Sequence, residues 1–289
     1  MSGSASRFAA GYQWFVSRLS VLLLTLAALS AAAVWVWLAD RSPAPVAEEP
    51  QRERPSLAME WRELPDDVKP EMADTLHSKT GITILFAVAS FTAPGGKVSG
   101  RAPSREEAKA AALTVVNELQ RYPDAYLRAA GVENVVLVRN IRTLDGHELG
   151  GLASPPNHSL LMTTESSSAF WRSVLHHELF HLFDRNDFDA AGWAALNPYG
   201  FRYDPSEALV RDPGVSFGID PTHYGFVTRY STFNEREDRA ELISWLVLDQ
   251  AAVMRVTGHD NHLAAKVQRL KQDVAGRVPE MGDRFWANQ

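Results

Sequence analysis

The pentapeptide HELFH at residues 177–181 stands within Ala169–Phe183, a stretch whose apolar spacing predicts a helix. Residues four apart share one helix face, so His177 and His181 can offer ring nitrogens to a single ion. Zn²⁺ binds such nitrogens at about 2.0–2.1 Å. Glu178 lies about 100° further round the helix, where it can accept a proton from a metal-activated water. The motif predicts one Zn²⁺ per chain, and the alternative is a pair of hydrogen-bonded helix histidines.

The composition narrows the chemistry that is available to such a site. The 289-residue chain contains no cysteine, which excludes a disulfide framework, a thiolate metal site and a cysteine nucleophile. A hydrophobic content of 45% excludes a wholly disordered chain. A formal net charge of −6, without any dense run of lysine and arginine, argues against nucleic acid as a partner. Any metal must therefore be held by histidine and carboxylate side chains.

A zinc hydrolase needs a third protein ligand, and one candidate follows directly after the motif. Asp187 can reach the metal only if the helix breaks sharply after His181. Chains that use this short spacing carry glycine at the position of Asp184, where it allows a tight turn. The aspartate at this position disfavours Asp187 as the ligand.

The second candidate lies in a later helix, predicted over Asn234–Val256. Glu237 and Glu241 stack one turn apart on one face of that helix. Glu237 can then bind the metal, while Glu241 accepts the second ring N–H of a ligand histidine and so selects its tautomer. The alternative for Glu237 is a capping-box partner of Asn234. Arg236 and Arg239, beside these acids, are expected on a solvated face.

Three segments carry a resemblance to a known family. They are residues 176–184 (HHELFHLFD), 193–203 (WAALNPYGFRY) and 225–241 (GFVTRYSTFNEREDRAE). The chain resembles the bacterial zinc-binding metallopeptidases of the gluzincin type, which combine HExxH with a distal glutamate ligand. The pattern of Tyr, six residues, Glu, three residues and Glu is also similar to the catalytic site of lethal-factor-type toxins.

The resemblance implies a zinc-dependent metallopeptidase that cleaves a protein or peptide substrate. Carried over residue by residue, it implies zinc ligands His177, His181 and Glu237, general base Glu178, oxyanion donor Tyr230, and Glu241 behind the ligands. Ser231 departs from the family, which tends to carry alanine there, and leaves these roles intact. His223 is an alternative oxyanion donor. By analogy with related enzymes, the substrate would lie along an edge strand, at Leu149–Ala153 or Ser159–Thr163.

Periodicity and turn residues predict an α+β fold, with mixed strands and helices in the upper part and a helical lower part. The predicted helices are 60–79, 103–121, 169–183, 234–256 and 261–277, and the predicted strands are 82–91, 134–141, 149–153 and 159–163. The resemblance implies that this is a zincin-like metallopeptidase domain.

The N-terminal region contains 21 uncharged residues from Leu19 to Ala39. A helix of this length rises about 30 Å, which is enough to cross a bilayer. The organisation predicted is a flank at 1–18, a transmembrane anchor at 19–39, a proline-rich tether at 40–56 and the catalytic domain at 57–289. The alternative for 19–39 is a signal peptide, cleaved near its small residues.

An uncleaved anchor predicts a single-pass protein of the bacterial cytoplasmic membrane, in contact with lipid through residues 19–39. Arg7 and Arg18 favour an internal N-terminus, which places the catalytic domain on the periplasmic side. Cleavage would instead give a secreted protein.

Two further functions are compatible with the same ligands. One is a zinc-containing interaction or assembly module without turnover, and the other is a zinc hydrolase of a non-peptide bond. Turnover separates the module from the enzymes. The sequence predicts neither the cleavage specificity nor the oligomeric state.

Overall fold

The computed structural model describes residues 61–92, 98–143, 146–165, 168–184, 188–204 and 218–289. The strands are β1 (Trp61–Glu63), β2 (Thr83–Ala87), β3 (Phe91–Thr92), β4 (Val98–Arg101), β5 (Asn134–Thr143), β6 (Glu148–Leu149), β7 (Gly151–Ser154) and β8 (Ser159–Thr163). The helices are α1 (Ala73–Thr80), α2 (Arg105–Leu119), α3 (Asp124–Ala130), α4 (Ser168–Asp184), α5 (Ala190–Ala194), α6 (Glu235–Thr257), α7 (Asn261–Arg277) and α8 (Asp283–Trp286).

The predicted flank, anchor and tether, residues 1–18, 19–39 and 40–56, lie outside the described residues. Within the described ranges, no helix is both long and apolar enough to cross a membrane.

The sheet is built around the long strand β5. The first part of β5 pairs in parallel with β2 and β8, and its second part pairs antiparallel with β4 and β6. The run Val135–Val138 is buried throughout, as expected for a strand that is covered on both faces. Val135 and Leu137 face the main core under the helices, whereas Val136 and Val138 join a smaller core on the opposite face.

Strand β7 lies at one edge of this sheet. It pairs antiparallel with β8, and no second strand among the described residues flanks it. Strand β8 lies inside the sheet, between β5 and β7. Of the two segments proposed as the substrate edge, Ser159–Thr163 is therefore excluded, because its backbone groups already pair on both sides.

Helix α4 joins the sheet to the helical part of the chain. It packs against β7 and β8 on one side and against α6 on another, and α7 lies behind α6. Its apolar side chains Leu175, Leu179, Phe180, Leu182 and Phe183 are all buried. The motif helix therefore lies in the centre of the fold, where its histidines can meet α6.

The helix predicted over residues 60–79 is wrong in its first half. Residues 61–63 form β1, in which Trp61 pairs with Ala87 of β2 and packs edge-on against Phe91 with ring centroids 4.6 Å apart. Pro65 and Pro70 interrupt any helical ladder before Ala73, where α1 begins. The other predicted segments agree in type, and 82–91 divides into β2 and β3. The mixed strand-and-helix composition is confirmed. Every described strand precedes residue 164, and the described elements that follow are helices.

Candidate metal centre

Helices α4 and α6 bring three potential ligand atoms together. Nε2 of His177 lies 2.9 Å from Oε2 of Glu237 and 3.0 Å from Nε2 of His181. Nε2 of His181 lies 3.3 Å from the same Glu237 oxygen. The two imidazole rings are nearly perpendicular, at 85°. Both Nε2 atoms lie within 3.3 Å of the same Glu237 oxygen, so the three atoms surround one location.

This geometry and the donor set fit a zinc ion. Ligand atoms about 2.0–2.1 Å from a tetrahedral Zn²⁺ lie about 3.3 Å from one another, close to the observed separations. Two histidines and one carboxylate also leave the fourth position open, as in catalytic zinc sites. The group His177, His181 and Glu237 can therefore bind a metal ion.

The hydrogen-bonding groups around His177 also require a positive charge, either a proton or a metal ion, between its Nε2 atom and Glu237. Nδ1 of His177 lies 2.8 Å from the Glu241 carboxylate, so Nδ1 carries the donated proton. In the neutral ring, Nε2 is then an acceptor, yet it faces a carboxylate oxygen of Glu237. Two acceptors at 2.9 Å need either a proton or a metal ion between them.

The electrostatics of the centre agree with this requirement. Burial favours the neutral ring of His177, but its hydrogen bonds to Glu237 and Glu241 outweigh burial and raise its pKa well above the ordinary value. Burial raises the pKa of Glu237, but the hydrogen bonds from His177 and His181 outweigh it and lower that pKa. The carboxylate stays ionised, which is the form that binds a metal.

Glu241 belongs to a hydrogen-bond network that the sequence did not indicate. Its second oxygen accepts a hydrogen bond from Oγ1 of Thr228 at 2.7 Å. The Ser231 hydroxyl lies 3.2 Å from Oγ1 of Thr228, and the Ser231 backbone N–H donates to the same oxygen. Ser231, the departure from the family pattern, thus supports Thr228, which in turn holds Glu241 in place against His177.

The carboxylate of Glu178 is bound to the sheet. Its Oε2 accepts a hydrogen bond from the backbone N–H of Ala153 in β7 at 2.7 Å. The residue lies beside the ligand histidines on α4, as the spacing of the motif predicts.

Tyr230 lies at the rim of the centre, in a 3₁₀ turn at Tyr230–Thr232. Its ring centroid is 5.9 Å from that of His177, and the side chain is 37% exposed, so it can reach a bound molecule. Burial, followed by the negative charges of Glu237 and Glu241, raises its pKa above the ordinary value. The phenol therefore keeps its proton and remains a hydrogen-bond donor at neutral pH.

The structure also bears on the alternative roles that the sequence suggested for residues near the metal centre. Asn234 caps α6 by accepting from the backbone N–H of Glu237, but the Glu237 side chain turns to the histidines instead of closing a capping box. His223 is held by Asp220 at 2.8 Å. Asp187 lies outside the described residues, and helix α4 continues to Asp184 without the sharp turn.

The expectation of a solvated face is wrong for Arg239, which is only 2% exposed. Its guanidinium donates to both oxygens of Asp184, at 2.8 and 2.9 Å, and to Asp273 at 3.0 Å. Its guanidinium carbon also lies 4.8 Å from the ring centroids of Phe188 and Trp193. This cation ties the end of the motif helix α4 to α6 and α7.

The fold is similar to a solved structure described as a putative zinc-binding metallo-peptidase from Bacteroides caccae. The likeness has a TM-score of 0.50 and 13% sequence identity, and it covers 75% of this chain and 88% of that chain. At this identity the likeness concerns the fold alone. No protein-family model and no curated protein matches the chain.

Proposed function

We propose that this chain is a zinc-dependent metallopeptidase of the gluzincin type, which hydrolyses peptide bonds in a protein or peptide substrate. The observation that carries the proposal is the convergence of His177, His181 and Glu237 within 3.3 Å, with Glu178 on the next position of the same helix. The similar fold of a protein described as a zinc-binding metallo-peptidase supports it.

The chemistry that bound Zn²⁺ supplies is Lewis acidity towards a peptide carbonyl and towards water. Glu178 accepts the proton of the attacking water as the new C–O bond forms, and it delivers that proton to the leaving amine as the C–N bond breaks. Tyr230 donates its O–H to the oxygen on which negative charge develops. Glu241 holds Nδ1–H of His177, which keeps Nε2 directed at the ion.

The substrate would bind as an extended strand beside β7. This strand is an edge of the sheet and lies against the motif helix α4. An added peptide would gain main-chain hydrogen bonds from edge-facing groups other than the Ala153 N–H, which already donates to Glu178. Such binding brings a peptide bond close to the metal centre without requiring a deep pocket.

The experiment combines zinc analysis with peptide cleavage by the purified full-length protein. We expect one Zn²⁺ per chain, and E178Q should keep the zinc while losing about 10²–10⁴-fold in kcat. The matched control is E280Q, the same change at an exposed position, which should behave as the wild type. Absence of stoichiometric zinc, or full activity in E178Q, contradicts the proposal. Tight zinc in a closed four-coordinate site without turnover would support the assembly module.

We also propose that residues 19–39 anchor the chain in the bacterial cytoplasmic membrane, with residues 57–289 on the periplasmic side. The support is the uncharged 21-residue stretch and the arginines that precede it. Alkaline extraction of membranes should leave the full-length chain in the pellet, and protease added to spheroplasts should degrade residues 57–289. Release of a shortened chain into the medium would identify a cleaved signal peptide instead.

A further inference from the structure

Strand β7 contacts Glu178 directly, although the sequence indicated only a substrate role for it. The backbone N–H of Ala153 donates to Oε2 of Glu178 over 2.7 Å. The ladder between β7 and β8 shows which way this N–H points. The carbonyl of Gly150 accepts from Thr163 on the β8 side, and in an antiparallel pair successive residues face opposite neighbours. Gly151 and Ala153 therefore face the free edge, where Glu178 lies.

Gly151 permits the close approach of β7 to helix α4. A Cβ atom at this position would lie 2.8 Å from Cγ1 of Val174, 3.0 Å from Sδ of Met162 and 3.2 Å from Cγ of Glu178. A separation below 3.0 Å requires the strand or the helix side chains to shift. Glycine is needed here for space, because this buried residue of the edge strand lies directly against the motif helix.

We propose that β7 is a positioning element for the general base, in which Gly151 sets the distance between strand and helix and the Ala153 N–H fixes the Glu178 carboxylate. The assignment rests on the proposed function, since it gives Glu178 its catalytic role. A carboxylate on a long side chain has several rotamers, and one hydrogen bond from a rigid strand selects the one in use. The proposed zinc ligands His177, His181 and Glu237 take no part in the contact between β7 and Glu178.

The first test changes the spacing. In G151A the added methyl group pushes Glu178 from its position, and a misplacement of about 1 Å costs about 10²-fold in rate. We expect kcat to fall about 10–100-fold, while the zinc dissociation constant remains that of the wild type. The double variant G151A/V174A removes the atom that the new methyl meets first, so it should recover much of the lost kcat. The matched control is G276A, where a Cβ meets nothing within 4 Å.

The second test removes the donor. A153P deletes the N–H that holds Glu178 and keeps the strand pairing, because this N–H faces away from β8 and proline is tolerated at such edge positions. We expect the same pattern, a lower kcat with unchanged zinc affinity. An unfolding temperature close to that of the wild type separates this effect from a failure to fold.

A third measurement needs no activity. In the metal-free full-length protein, hydrogen exchange of the Ala153 amide should accelerate about tenfold or more in E178A, because the amide loses its charged acceptor. The amide of Leu152, which faces β8, should keep its rate and is the internal control. The inference is overturned if G151A and A153P retain full kcat, or if the Ala153 amide exchanges at the same rate in E178A. If the wild type cleaves no peptide, the proposed function fails, and exchange at Ala153 still decides whether β7 holds Glu178.

Discussion

The imidazole of His177 is held between two carboxylates that lie one turn apart on α6. Glu241 binds its Nδ1 side and Glu237 faces its Nε2 side, at 2.8 and 2.9 Å. The ring is therefore restrained in rotation before any ion binds. Such restraint raises metal affinity, because less ordering remains to be done upon binding.

The carboxylate of Glu241 is expected to tune metal affinity. In E241Q the partner of Nδ1–H becomes a neutral amide, which holds the tautomer less firmly and makes Nε2 less basic. Zinc affinity should fall about 10–100-fold, measured by competition with a chromophoric chelator. E280Q at an exposed position should leave the affinity unchanged, and equal affinities for E241Q and wild type would contradict the role of Glu241.

Tyr230 is expected to act in turnover and not in metal binding. Y230F removes the phenol O–H beside the ligands, so kcat should fall about 10²-fold with little change in zinc affinity. Y199F makes the same change at a fully exposed tyrosine and should have no effect. Undiminished kcat in Y230F would leave His223 as the remaining candidate donor.

At the scale of the element, α4 is held on the side away from the metal by a second buried network. The ring of His176 lies 2.8 Å from the Tyr122 hydroxyl and 3.0 Å from Glu118 of α2. Burial raises the pKa of Glu118, but hydrogen bonds from His176 and Arg121 outweigh it and lower the pKa to about 2. Burial lowers the pKa of His176, so this ring is neutral, with Nε2–H donating to Glu118 and Nδ1 accepting from Tyr122.

This network predicts a specific loss of stability in acid. A carboxyl group with a pKa lowered from 4.5 to about 2 stabilises the folded state above pH 4.5. That contribution, at most about 3 kcal/mol, is lost as the pH falls through the folded pKa. Urea unfolding of the metal-free protein should therefore show a steeper loss of stability between pH 4.5 and 2 in the wild type than in E118Q. E106Q, at an exposed position of the same helix, should keep the wild-type slope.

The buried ion pair between α4 and α6 predicts a large structural effect. D184N removes the carboxylate that accepts two hydrogen bonds from Arg239 and leaves Asp273, at 3.0 Å, as the remaining charged partner. Breaking a buried ion pair costs about 3–5 kcal/mol, so the unfolding free energy should fall by up to that amount. D67N breaks an exposed pair with Arg105 and should cost no more than about 1 kcal/mol. Similar losses in the two variants would show that burial does not matter here.

At the scale of the whole molecule, a bound metal ion would connect α4 to α6. Its ligands His177 and Glu237 are 60 positions apart in the chain. Free zinc at 100 times its dissociation constant should stabilise the folded state by about 2.7 kcal/mol. The shift is measured as the rise in unfolding free energy on zinc addition. It should nearly vanish in H181A and persist in H259A, which removes an exposed histidine. No shift in the wild type would mean that the three ligands do not bind zinc in the folded protein.

The sequence and its family resemblance indicated the side chains that meet at the candidate site, but not the loop and backbone groups that hold them. His177, Glu178 and His181 follow from helix periodicity alone, since their relative placement depends on one element. Thr228 and the Ala153 N–H carried no signal, because a hydroxyl in a loop and a backbone amide have no characteristic spacing. The wrong helix at residues 60–79 has the same origin, since Trp61 enters a strand only by pairing with Ala87.

The sequence by itself determined the motif helix, the restriction of metal ligands to histidine and carboxylate, and the mixed strand-and-helix composition. Each of these depends on residue types and on spacing within one segment. The tertiary structure decided that Glu237 faces the histidines, that β7 and not β8 is the edge, and that Arg239 is buried. These features depend on contacts between residues far apart in the chain, which form only when packing brings helices α4 and α6 and the sheet together.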